Sequence, residues 1–181
     1  MNIQQLDGGA LVVSFNRFSD NRGWFSESWS NKWMDEMGLT RPFVQANTVW
    51  TERKNTIRGL HAQSEPHQVA KMLQVIKGRI LDVFVDAREG SKTFGKWFSV
   101  TLDEKVPQVL YVPQGFYHGY MTLTDDVIVN YQQDEFFTPA SEHGLLWNDP
   151  TIAIDWKLGQ AVPIVSPKDS AQKTWQDATK F

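Results

Sequence analysis

Residues 71–88 read KMLQVIKGRILDVFVDAR. Two apolar runs, KMLQVI and RILDVFVDAR, flank the single Gly78, and this pattern predicts two strands joined as a hairpin. Within the second run, alternation puts Ile80, Asp82, Phe84 and Asp86 on one side and Leu81, Val83 and Val85 on the other. Asp82 therefore stands opposite an all-aliphatic face. Downstream, WFSVTL (97–102), QVLYVP (108–113) and VIVNYQQDEFF (127–137) add three more strands at short intervals. In the last of them Val127, Val129, Tyr131 and Gln133 point together, which turns Tyr131 inward, where a phenol needs a partner or a task. Upstream, Leu11, Val13 and Phe15 alternate as a strand suited to pairing across a subunit interface. One short helix is expected, capped by Ser30, with Trp33, Met34 and Met37 on one face and Gly38 closing it. Many strands, one early helix and late turns describe a mainly β protein, an antiparallel sandwich or barrel closest to a jelly roll with a few short helices, rather than a parallel α/β fold.

The chain of 181 residues suits one domain spanning residues 1–181. With 41% hydrophobic and 22% charged residues it has enough apolar material for a core, which excludes intrinsic disorder. The 18 basic and 21 acidic side chains leave a net charge of -3 and no basic field for nucleic acid or an anionic membrane. Cysteine is absent, so disulfides, thiol nucleophiles and cysteine–metal sites are excluded, and the chemistry left belongs to His, carboxylate, Lys and Tyr. The opening MNIQQLDGGALVV lacks a basic stretch, and no apolar run reaches the roughly 18 residues of a membrane span. A soluble cytoplasmic protein is expected.

The densest polar stretch is RGLHAQSEPHQVAK, residues 58–71, which gathers Arg58, His61, Gln63, Glu65, His67 and Lys71 ahead of a hydrophobic strand. Metal-binding jelly rolls present a His-x-His pair, a nearby Glu and a later His. Here His61-Ala62-Gln63 breaks that pair, and Lys71 would set a competing cation beside a metal held by His61, His67 and His118. Proton transfer suits the set better: a neutral His is a good base at pH 7, Lys or Arg stabilises a developing oxyanion, and Tyr returns a proton. Each residue also has a plain structural reading, His61 as a hydrogen-bonded filler, Tyr131 as core, Lys71 as a solvated strand end and Arg58 as the partner of a surface carboxylate. Spacing alone leaves both readings open.

Seven stretches carry the text further: RFSDNRGWFSES, PFVQANT, IRGLHAQ, KGRILDVFVDAR, SKTFGKW, VPQGFYHGY and LLWNDPTIAIDW, in this order. From about Phe18 to Asp169 the sequence closely resembles the dTDP-4-dehydrorhamnose 3,5-epimerase family. The resemblance implies a cupin-type jelly roll that works without metal or redox cofactor on a dTDP-linked nucleotide sugar, and a homodimer whose N-terminal segment reaches into the neighbour's site. It also implies the reaction, inversion of C3 and C5 in dTDP-4-dehydro-6-deoxy-D-glucose to give dTDP-4-dehydro-L-rhamnose. On this resemblance His61 of RGLH is the base beside the 4-keto group, Asp169 in SPKDSA orients it, Lys71 stabilises the enolate oxygen and Tyr131 is the opposed acid. His118 and Asp82 match sugar-pocket positions, Arg58 and Arg22 match positions that grip the pyrophosphate, and Phe18, Glu27, Gln45 and Asn47 match nucleotide-side positions, some acting across the dimer.

Three residues depart from the family pattern. Ala62 replaces an aromatic residue, which would cut back the pocket wall; Phe137 replaces a common Tyr, removing a hydroxyl; and Trp50 replaces a small polar residue. They leave open an enzyme that inverts one carbon only. A non-catalytic sugar-binding sandwich and a metal-dependent jelly-roll enzyme are the readings from other classes.

Overall fold

The computed structural model describes all of residues 1–181. In chain order the first elements are β1 (Asn2–Gln5), β2 (Leu11–Ser14), β3 (Phe18–Asp20), β4 (Gly23–Phe25), helix α1 (Lys32–Met37), β5 (Gln45–Thr51) and β6 (Thr56–Gln63). The hydrophobic middle follows as β7 (Lys71–Lys77), β8 (Arg79–Asp86), β9 (Trp97–Asp103), β10 (Gln108–Val112), β11 (Phe116–Thr122) and β12 (Val127–Gln133). The chain ends with β13 (Glu142–Gly144), β14 (Ile164–Val165) and helix α2 (Pro167–Ser170). One sheet runs β1-β2-β10-β7-β12-β5 and the other β13-β6-β11-β8-β9, with β14 beside β6 and β3-β4 as a separate hairpin. Every pairing except the parallel β14–β6 contact is antiparallel. This is the mainly β, antiparallel two-sheet architecture that the strand-rich text predicts.

The expected hairpin at Gly78 is not formed. β7 lies in the first sheet and β8 in the second, so the chain turns a corner between sheets there. Gly78 sits at φ 83°, and a Cβ on it would fall 2.7 Å from Thr124 Oγ1 and 2.8 Å from Val127 Cγ2. A tight glycine turn between two alternating runs is compatible with either outcome; the opposed faces decide it. Leu73, Val75, Leu110, Val127 and Val129 of the first sheet interdigitate with Ile80, Phe84, Leu102 and Phe116 of the second to make the central core. β8 is buried on both faces, because Leu81, Val83 and Val85 pack outward against Leu145, Ile152, Trp156 and Ala178 of the C-terminal region.

Two further expectations are corrected near the N-terminus. β2 has both edges occupied within the chain, by β1 and β10, so it offers no edge to a second subunit. Its Leu11 and Val13, with Phe15, instead form a small cluster with Trp33 of α1, Met72 and Val109. The helix keeps its Gly38 terminus in the left-handed region, but its N-cap is Asn31 with no side-chain bond, and Ser30 contributes only its carbonyl, which accepts from Trp33 N–H at 2.9 Å.

Candidate active site

Period-two alternation along β6 would send Arg58 and His61 to opposite faces. They share the inner face because of a bulge: Arg58 pairs with Tyr120 and His61 with His118, three residues along β6 against two along β11. Gly59 permits it, with φ 107° and no room for a Cβ, which would lie 2.8 Å from His118 O. The Gly59 N–H donates to Asp169 Oδ2 at 3.2 Å, and Asp169 Oδ1 lies 2.8 Å from His61 Nε2. Asp169 is buried on α2, where its own N–H is held by Ser166 Oγ at 3.0 Å. Burial pushes its carboxyl up, but the bonds from His61 and Gly59 outweigh this and leave it below the usual carboxylate range. With Nε2–H donated to that carboxylate, Nδ1 of His61 carries the basic lone pair.

Facing His61 from the opposite sheet are Lys71 on β7 and Tyr131 on β12, with the Lys71 ammonium 5.9 Å from the Tyr131 ring centre. Burial holds Lys71 down to about 8, opposed by the charges of Asp82 and Glu142. Burial also raises the Tyr131 phenol, opposed by Arg58, so the hydroxyl stays protonated at neutral pH. Neither Lys71 nor Arg58 makes an ion pair. Behind them His118 Nε2 contacts both oxygens of the fully buried Asp82, at 2.8 and 3.0 Å, and burial raises Asp82 against the pull of His118 and Lys71.

These side chains divide a cavity into two lobes that share His61, Lys71 and Tyr131. The larger, about 300 Å³, is lined by amides, Gln45, Asn47, Gln63 and Gln133, together with Phe137, Val69, Ala62 and Glu142. The smaller, about 220 Å³, adds Arg58, His118, Asp169, Val49, Leu73 and Tyr120. Asn47 donates to Gln133 Oε1 at 2.8 Å and Gln45 Oε1 accepts the Phe137 N–H at 3.0 Å, so the amide wall is internally tied. No three His, Asp or Glu side chains converge as a metal cluster. A planar ketone between the sheets would meet a base on one side, an acid on the other and an ammonium at its edge.

The structure brings together His61, Asp169, Lys71, Tyr131, Arg58, His118, Asp82, Gln45 and Asn47. It does not bring Phe18, Arg22 or Glu27 to either lobe. They lie on or just after the β3–β4 hairpin, exposed, with Arg22 paired to Asp20 at 2.6 Å and Phe18, Trp24 and Phe25 each at least 60% open to water. Ala62 lines the larger lobe and also packs in the outward cluster with Leu145 and Ile57, so a larger residue there would meet that packing as well as the pocket. Trp50 is outside the cavity, its indole N–H on Asp126 at 2.6 Å. Gln133, Glu142 and Tyr120 line the lobes without having been singled out as site residues. Gln133 shares the inward row of Tyr131, whereas nothing local marks Glu142, which β13 carries to the edge of β6.

Comparison with known proteins adds an independent line. A family model described as dTDP-4-dehydrorhamnose 3,5-epimerase matches residues 5–177. The chain is 44% identical over 163 residues to the Neisseria gonorrhoeae protein of that name, covering 90% of this chain but only 49%, about half, of that relative. A crystal structure of the Elizabethkingia anophelis dTDP-4-dehydrorhamnose 3,5-epimerase superposes with a TM-score of 0.92 at 33% identity, covering 100% of this chain and 99% of the other. A Legionella pneumophila dTDP-6-deoxy-D-glucose-3,5-epimerase, solved in complex with dTDP-4-keto-L-rhamnose, gives 0.91 at 36% identity over 97% and 93%.

Proposed function

The chain belongs to the dTDP-4-dehydrorhamnose 3,5-epimerase family, and from that premise we propose that residues 1–181 act as one epimerase domain on a dTDP-4-dehydro-6-deoxyhexose, with proton abstraction by His61. The observation that carries this reading is that His61, paired with Asp169 of α2, stands on one sheet and Lys71 and Tyr131 on the other, around a shared cavity. His61 Nδ1 removes the proton on a carbon next to the 4-keto group, and the C–H electron pair moves to make the enolate, whose oxygen accepts from the Lys71 ammonium. Tyr131 delivers its phenolic proton to the opposite face, the ketone re-forms with inverted configuration, and solvent then restores the proton to the phenolate and removes the one on His61. Asp169 keeps the imidazole in the tautomer that leaves Nδ1 free and stabilises the imidazolium that follows.

The hexose is assigned to the smaller lobe, where Val49 and Leu73 give an apolar seat for the 6-methyl group and Arg58 is an uncompensated guanidinium for the diphosphate. The nucleotide is assigned to the amide-lined lobe with Gln45, Asn47 and Phe137. Phe18, Arg22 and Glu27 are assigned to the site of a second copy: they are exposed, line neither lobe of their own chain, and lie on or just after a hairpin rich in exposed aromatic surface. A homodimer with exchanged hairpins follows. Mixed dimers of His61→Ala and Arg22→Ala chains should regain activity that neither variant has alone, because one of their two sites is intact; no regain contradicts the exchange.

Incubation with dTDP-4-dehydro-6-deoxy-D-glucose in heavy water, with no added cofactor, tests the reaction. Deuterium at both C3 and C5 with an L-configured product is expected. A second reading, inversion of one carbon, is favoured by Phe137, which offers no hydroxyl to hold a second ring pose; label confined to one carbon at long times selects it. No label at either carbon overturns both.

A further inference from the structure

Polar contacts hold the β3–β4 hairpin to the two sheets only at its root. Residues 18–25 form no hydrogen bond or ion pair outside the hairpin: their bonds are the β3–β4 ladder and the contacts of Arg22 with Asp20. At the root Ser26 Oγ donates to the Asn16 carbonyl at 2.7 Å, which closes the loop without joining it to either sheet. All six strand residues are exposed, and a ribbon of three residues a side has no packing of its own to fix its direction.

Arg17 supplies that direction. It stands immediately before β3, half-buried, and donates from Nη1 to the Lys105 carbonyl at 3.2 Å and from Nη2 to the Glu104 carbonyl, both on the turn between β9 and β10. Trp24 of β4 lies over the guanidinium, its ring centre 4.2 Å from the Arg17 Cζ. The planar fork fixes its own plane on two successive carbonyls, and the indole resting on that plane fixes the hairpin. The side chain does this at a cost: its charge has no carboxylate partner, and its Nε is buried without a hydrogen bond. What it gains in this place is the pose of the hairpin.

We infer that Arg17 is a positioning residue: by bracing Trp24 against the β9–β10 turn it aims the hairpin, and with it Phe18 and Arg22, at the cavity of a second copy. The inference rests on the reading of the hairpin as an arm exchanged between copies. A swinging arm would have to be ordered each time it grips a diphosphate, and the cost of that ordering would come out of binding; an arm already aimed avoids it. Arg17 does not touch the ligand in this scheme. Its loss should weaken the grip and leave the proton transfers of His61 and Tyr131 as they are.

Mixed dimers of full chains, purified through two different tags and assayed on dTDP-4-dehydro-6-deoxy-D-glucose, test it. In the pairing of an Arg22→Ala chain with a His61→Ala chain, the one intact site joins the cavity of the first chain to the arm of the second. Arg17→Met added to the His61→Ala chain, the arm donor, should raise KM roughly three- to tenfold at unchanged kcat. The same substitution in the Arg22→Ala chain, whose arm meets only the inactive cavity, should change neither constant. Arg17→Lys, which keeps the charge and the stem but cannot span two carbonyls, should repeat the pattern and carries the test should Arg17→Met not fold. A rise in KM from both placements, from the Arg22→Ala placement alone or from neither overturns the inference. No turnover in the parent mixed dimer overturns the exchange of hairpins and this inference with it, whereas turnover there without a placement effect overturns the inference alone.

Discussion

On the outward face of β8 and β11, Leu81, Val83, Val85, Tyr117 and Met121 lie against Leu145, Ile152, Trp156 and Ala178, while on the inward face of the same strands His118 and Tyr120 line a cavity, with the fully buried Asp82 behind His118. The outward face engages its polar atoms. Tyr117 Oη donates to Thr179, His143 Nδ1 meets Thr179 Oγ1 at 3.1 Å, and Trp156 Nε1 donates to the Trp147 carbonyl at 2.8 Å. Around that cavity Lys71 of β7 and Arg58 of β6 make no ion pair and the Tyr120 hydroxyl is left without a hydrogen bond. Alternation lets one strand serve packing with one set of residues and chemistry with the other. The two faces should therefore respond to substitution in opposite currencies, activity inward and stability outward.

The largest effect is expected at His61. His61→Ala should lower solvent exchange into substrate by roughly 10²- to 10⁴-fold while the chain still folds, the buried Asp169 left without its imidazole partner costing about 1–3 kcal/mol. Leu145→Ala is its outward counterpart: a fully buried leucine removed from the C-terminal cluster should cost about 2–5 kcal/mol in denaturant unfolding, with the folded fraction retaining its specific activity. Reversed outcomes, an unfolded His61 variant or an inactive but stable Leu145 variant, would break the division between faces.

Lys71 sharpens the comparison because it should move both readouts in opposite directions. The folded chain holds it near 8 and the unfolded chain near 10.4, so between those values the unfolded state binds more protons and stability rises with pH; below about 8 the full cost of the buried ammonium is present. Exchange should run the other way, falling above an apparent pKa near 8 as the ammonium proposed to stabilise the enolate is lost. Lys71→Met should add about 1–3 kcal/mol of stability at pH 7, remove the alkaline rise in stability, and lower exchange about 10²-fold. A pH-stability profile identical to wild type would contradict the buried charge. The smallest effect lies within one strand: Tyr117→Phe leaves the Thr179 carbonyl unpaired and should cost about 1 kcal/mol, whereas Tyr120→Phe should cost nothing in the unliganded chain. Paired chemical unfolding of the two variants checks this.

Much of this division is legible in the sequence, and its failures are physical. Alternation alone turns Asp82 away from Leu81 and Val83 and carries Tyr131 inward with Val129. It cannot tell a hairpin from a corner at Gly78, because both require the same two alternating runs and the same small residue. It also separates Arg58 from His61, which only the bulge at Gly59 reunites; a β-bulge has no signature beyond a glycine within a strand. Asp169 reaches His61 across 108 residues of sequence, and no periodicity links them; that pairing was available from the family resemblance alone. Phe18, Arg22 and Glu27 stay outside the cavity of their own chain; the proposed exchange between two copies is what would bring them to a site.

The central claim is that proton removal and proton return occur from opposite sheets. Solvent exchange and net inversion, followed together by NMR on dTDP-4-dehydro-6-deoxy-D-glucose in heavy water, test it directly in Tyr131→Phe. With His61 intact and the opposed donor gone, the enolate should form and be reprotonated from the base side or by water, so that inversion falls at least tenfold further than exchange, on the order of the contribution of one general acid. Exchange and inversion reduced by the same factor, or neither reduced, would contradict the opposed arrangement.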